Sequence, residues 1–75
     1  MPGECMYITI KQAPTDEQIK QFAMKLSEED TYINYKVDLS QFDGALRKAF
    51  IETFQIDAAA VEGKKFIILT RFVEI

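Results

Sequence analysis

The segment from Lys64 to Ile75 constrains the fold more than any other part of the chain, because it is apolar on both of its sides. Read as a β-strand, it sends Phe66, Ile68 and Phe72 one way and Ile67, Leu69, Val73 and Ile75 the other. A strand of this kind belongs in the middle of a sheet covered twice, by the chain's own helices or by a partner. The pattern predicts a central C-terminal strand around which the remaining elements pack.

At 75 residues the chain has room for one small domain spanning 1–75. A chain of this size buries only about 60% of the surface its unfolded form exposes. Its six Phe and three Tyr must therefore supply much of the core. Cys5 is the sole cysteine, which excludes an intramolecular disulfide and fits a cytoplasmic protein. The first residues, Met1-Pro2-Gly3-Glu4-Cys5, lack the basic and apolar regions of a signal peptide, and no apolar run reaches the roughly 20 residues of a membrane helix. Twelve acidic and nine basic residues give a net charge of -3 spread along the chain, which disfavours electrostatic capture of nucleic acid.

The chain divides at its turn signals. Glu4 to Lys11 alternates Met6, Ile8 and Ile10 with Cys5, Tyr7, Thr9 and Lys11, the pattern of a half-buried strand. After Pro14, Thr15 with Gln18 forms a capping box, and Asp16 and Glu17 favour the same helix start. Ile19, Phe22, Ala23 and Leu26 would make the buried stripe of that helix, with Met24 off it. Thr31 to Leu39 alternates as a second strand with one polar face, which suits an edge where Lys36 and Asp38 discourage foreign pairing. Ser40 would cap a second helix whose buried face is Phe42, Ala45, Leu46, Ala49, Phe50 and Thr53. Asp57 and Gly63 bracket a short turn before the last strand. The resulting expectation is a single α/β domain, an α+β sandwich-like β-α-β-α-β arrangement, with a three-stranded sheet, two helices and the C-terminal strand central.

The residues exclude several chemistries. Without histidine there is no Ser-His or Cys-His nucleophile pair, and the commonest metal ligand is missing. Nothing at a strand position beside aromatics activates the Cys5 thiol. Glu28-Glu29-Asp30 lacks the ligand spacing of a calcium loop and reads as a solvated helix end. Asp16 with Lys20 and Asp43 with Arg47 are helix-supporting pairs at i, i+4. Three scattered glycines cannot cradle a phosphate. No catalytic residue, cofactor site or metal site is expected. The stretch Lys64-Lys65-Phe66-Ile67-Ile68-Leu69-Thr70-Arg71-Phe72 is similar to the RNP1 segment of RNA-recognition motifs in its basic start and spaced aromatics. It departs from that segment at Lys65, where RNP1 has glycine, and at Ile67, where it has a small residue, and these departures favour a central strand with Phe66 and Phe72 in the core over an RNA-recognition motif.

Two surfaces emerge as contact sites. If both helices pack on one side of a three-stranded sheet, the other side is open and carries part of the set Tyr7, Tyr32, Ile67, Leu69, Val73 and Ile75. The second comprises the off-stripe residues Met24, Ile51 and Phe54, with Arg47 beside them. The expected function is non-enzymatic protein binding, to another protein or to a second copy as a homodimer. The size and acidity fit a compact inhibitor or regulatory adaptor of the kind phages and mobile elements encode. The alternatives are a single-stranded nucleic-acid binder that uses sheet aromatics with Lys11, Lys64, Lys65 and Arg71, and a small enzyme subunit that would rely on carboxylates, Tyr or Lys.

Overall fold

The computed structural model describes residues 4–73. In chain order the elements are β1 (Cys5–Thr9), α1 (Asp16–Gln21), β2 (Lys25–Glu28), β3 (Tyr32–Asp38), α2 (Gly44–Thr53) and β4 (Phe66–Phe72). The described residues form one four-stranded sheet of order β1-β4-β3-β2. β1 runs parallel to β4, whereas β3 is antiparallel to both β4 and β2. The C-terminal strand is central, as its two apolar sides require, in a small α+β domain with two helices. Two expectations are corrected. The sheet has four strands rather than three, and the Thr31–Leu39 strand is internal, with β2 shielding it from the edge.

Both corrections trace to the end of α1. Thr15 caps the helix as the sequence predicts: its hydroxyl accepts from Gln18 N at 3.1 Å, and Gln18 Oε1 accepts from Thr15 N at 2.9 Å. The helix then stops after six residues. Ala23 adopts a left-handed conformation (φ 51°), its N–H donates to the Lys20 carbonyl, and the Met24 N–H donates to the Ile19 carbonyl. This is the Schellman arrangement, which satisfies two free carbonyls and presses the following apolar residue back onto the helix. Met24 is thereby buried, and the chain beyond it is released into β2, where Leu26 lies exposed. The end of α2 repeats the arrangement: Gln55 has φ 54°, its N–H donates to the Glu52 carbonyl, and the Ile56 N–H donates to the Ile51 carbonyl.

A non-glycine residue in this conformation crowds its own Cβ against the backbone. Ala23→Gly is therefore expected to stabilise the fold by about 0.5–1 kcal/mol. The gain would be read as a higher urea midpoint with an unchanged denaturant slope.

α2 begins at Asp43 rather than Ser40. The Asp43 carboxylate accepts from Leu46 N at 2.8 Å, while Ser40 lies in a 3-10 turn over Leu39–Gln41 capped by Asp38. The helix turns Phe50 fully inward, with Phe42, Leu46 and Ala49 half-buried beside it; Ala45 and Thr53 are exposed. Asp57 and Gly63 bracket a turn region, with Ala59 N donating to Asp57 Oδ1 at 3.0 Å and Gly63 at φ 80°. Val61 drops from this region into the core, and Arg47 Nη2 donates to its carbonyl at 3.1 Å.

The core is one cluster: Phe22, Met24, Tyr35, Val37, Leu39, Phe50, Val61, Ile67 and Leu69. It unites residues at the helix ends and connections with one face of the sheet. That face is formed by Ile67 and Leu69 of β4, Tyr35 and Val37 of β3, and the partly buried Met6, Ile8 and Ile33.

Candidate functional site: the open face of the sheet

Alternation places the other residues of the same strands on the opposite face. The register aligns Tyr7 with Ile68, Thr9 and Asn34 with Thr70, Tyr32 with Phe72, Lys36 with Ile68, and Asp38 with Phe66. On the outer strand, Lys25 and Ser27 pair with Lys36 and Asn34 on the same side. This face therefore has three zones. Tyr7, Tyr32 and Phe72 form an aromatic end, Thr70 and Asn34 a polar centre, and Phe66, Lys36, Lys25 and Asp38 a mixed end.

Tyr7 is 68% exposed and Phe72 63%. The Tyr32 and Phe72 rings lie 6.1 Å apart, a cross-strand aromatic pair. Together with Thr9, Asn34 and Thr70, these three aromatics line a shallow, open depression of about 350 Å³. Its floor is held by Thr70 Oγ1, which donates to Asn34 Oδ1 at 2.8 Å. At the mixed end, Lys36 Nζ sits 4.6 Å from the Phe66 ring centroid, a cation–π contact that occupies both groups. The Ser40 hydroxyl donates to Asp38 Oδ1 and holds that carboxyl below the usual value. The Ser40 N–H and the charges of Lys36 and Lys25 act in the same direction, against desolvation. Asp38 is thus an anion across the physiological range, a structural clasp for the turn that follows β3.

The structure redistributes the residues expected at contact surfaces. Tyr7 and Tyr32 lie on the open face. Ile67 and Leu69 do not: both are fully buried beneath the helices. Val73 follows β4 at its end and is 36% exposed; Ile75 lies outside the described residues. Of the second group, one member is buried and three are half-buried. Met24 is buried, Ile51 and Phe54 pack against the core, and half-buried Arg47 is engaged by the Val61 carbonyl.

Phe66, Ile68 and Phe72 take the place of Ile67 and Leu69 on the open face, which corrects the expectation that Phe66 and Phe72 belong to the core. Alternation had grouped these three residues; what it lacked was any indication of which group faces the helices. Their partners supply that indication, because Ile68 lies between Tyr7 and Lys36 whereas Leu69 lies between Ile8 and Tyr35.

Among the described residues no group of Asp, Glu or Cys is arranged to hold a metal ion, and no helix is long and apolar enough to cross a membrane. Neither a protein-family model, nor a curated protein, nor a solved structure matches this chain.

Proposed function

We propose that this chain is a non-enzymatic protein-binding module, an inhibitor or adaptor in kind, that docks its partner on the open face of the sheet. The observation that carries the reading is the exposure of Tyr7 and Phe72, both above three-fifths, on a sheet face that no helix of the described residues covers. Contiguous aromatic surface of this kind marks interaction sites, and Tyr and Phe are enriched at protein interfaces. The Thr70–Asn34 pair beside these aromatics provides hydroxyl and amide groups to orient a partner.

Charge placement favours protein over single-stranded nucleic acid as the occupant. The aromatic end adjoins the acidic turn Glu28-Glu29-Asp30, which leads into Tyr32. Lys65 is paired with Glu4 at 3.6 Å, Lys36 lies over Phe66, and Arg71 belongs to the helix-facing side of β4 with its Nε buried. A stacking platform for nucleic acid needs free cations tracking the backbone around it.

The test is affinity capture from an extract of the native host, comparing the wild-type chain with a Tyr7→Ser/Phe72→Ser variant whose circular dichroism matches wild type. Proteins retained by wild type are expected to drop at least about tenfold with the variant, since truncating aromatic anchors commonly costs 2 kcal/mol or more. Equal retention by both would overturn the face as the docking site. Nucleic acid as the retained species, released steeply by salt, would replace protein with the other occupant.

A further inference from the structure

We propose that β1 is a pairing edge for a second copy of this chain, joining two four-stranded sheets antiparallel through their β1 strands with Tyr7 at the two-fold axis. This inference goes beyond the face reading and does not depend on it. Ile10 N donates to the Thr70 carbonyl, and Lys65 N donates to the Glu4 carbonyl. The even-numbered residues of this strand thus direct their main-chain groups toward β4. In a parallel ladder the alternate residues direct theirs away, so Cys5, Tyr7 and Thr9 present N–H and C=O groups along the outer side of β1. Among the described residues no strand pairs with that side.

The two edges of the sheet differ in how they resist pairing. β2 reads Lys-Leu-Ser-Glu and is exposed throughout, with a charge at each end, the usual protection of an edge. β1 reads Cys-Met-Tyr-Ile-Thr and contains no charge and no proline. It is a short, β-prone, uncharged strand whose outer main-chain groups no described strand pairs, the template that edge protection normally eliminates.

The sequence of β1 is also complementary to itself. In an antiparallel pair, directly opposed residues point to the same side of the sheet, and a two-fold axis through Tyr7 sets Cys5 opposite Thr9 of the second copy and Met6 opposite its Ile8. All three outward-bonding residues then fall in hydrogen-bonded pairs, giving about six main-chain hydrogen bonds. Met6 and Ile8, already partly buried, would extend the two cores toward one another on the helix side. The exposed Tyr7 rings would meet on the open side, which would become one face across eight strands.

The arrangement is read by disulfide trapping. Thr9→Cys places a thiol opposite the native Cys5 of the second copy, within the usual Cα separation of a disulfide. Within one chain, positions 5 and 9 stand about 13 Å apart along the strand and cannot bridge. Under mild oxidation Thr9→Cys is expected to form a linked dimer at least about tenfold faster than a Lys25→Cys control, which reports random collision. Wild type, whose Cys5 faces Thr9 across the pair, is expected to remain unlinked.

A rate for Thr9→Cys no higher than the control overturns the proposal. Phe72→Ser introduced into Thr9→Cys separates this inference from the docking face: trapping that persists supports the edge, and trapping that disappears assigns the dimer to face packing instead. Thr9 is exposed, and matching circular dichroism spectra verify that each variant is folded.

Discussion

Phe22→Ala is expected to remove about 3–5 kcal/mol of stability, a large share of the roughly 4–11 kcal/mol that a domain of this length commands. Phe22 follows α1 and is completely buried. Its ring lies 5.3 Å from Phe50, 5.9 Å from Phe54 and 6.0 Å from Phe42, so one side chain ties the end of α1 to both ends of α2. No nearby side chain can refill the space, because Phe50 already packs against both Phe42 and Phe54. Urea unfolding monitored by circular dichroism should show the midpoint falling by about a quarter or more. Phe72→Ala, which removes the same ring from the open face, should shift stability by less than about 1 kcal/mol, its remaining cost being the pairing with Tyr32. Comparable losses at the two sites would mean that the open face is covered.

The parts of the fold that were legible in the sequence are those decided by local physics. The Thr15–Gln18 box depends on residues three apart and forms as read. The alternation of Ile33, Tyr35 and Val37 follows from strand geometry, and the central place of β4 follows from having apolar residues on both sides. β2 was hidden because Ile19, Phe22, Ala23 and Leu26 satisfy the helical period, and nothing before Ala23 announces a stop. Glycine would have announced it; alanine in a left-handed conformation does not, since the tertiary packing of Met24 holds it there. The same local reading placed Met24 on the surface. The open face was legible in composition, through Tyr7 and Tyr32, but not in parity. Which side of β4 lies under the helices depends on the register with β1 and β3, a long-range property that no short window contains.

That parity makes two substitutions on the same strand diverge. Leu69→Asp is expected to abolish folding, at a cost above about 4 kcal/mol, because it sets an unpaired carboxylate among fully buried groups and also removes a core side chain. Phe72→Asp, on the same strand but the opposite face, should leave the protein folded, with a loss under about 1–2 kcal/mol, since its site is open to water. Soluble yield and near-ultraviolet circular dichroism of the two variants would display the contrast. Were Phe72→Asp the variant that failed, the sheet would be turned over, and Phe66, Ile68 and Phe72 would form the core. The aromatic face on which docking is proposed would then vanish. If Leu69→Asp alone fails, Phe72 is free to change without endangering the fold, and a loss of partner retention on its substitution reports on binding rather than on folding.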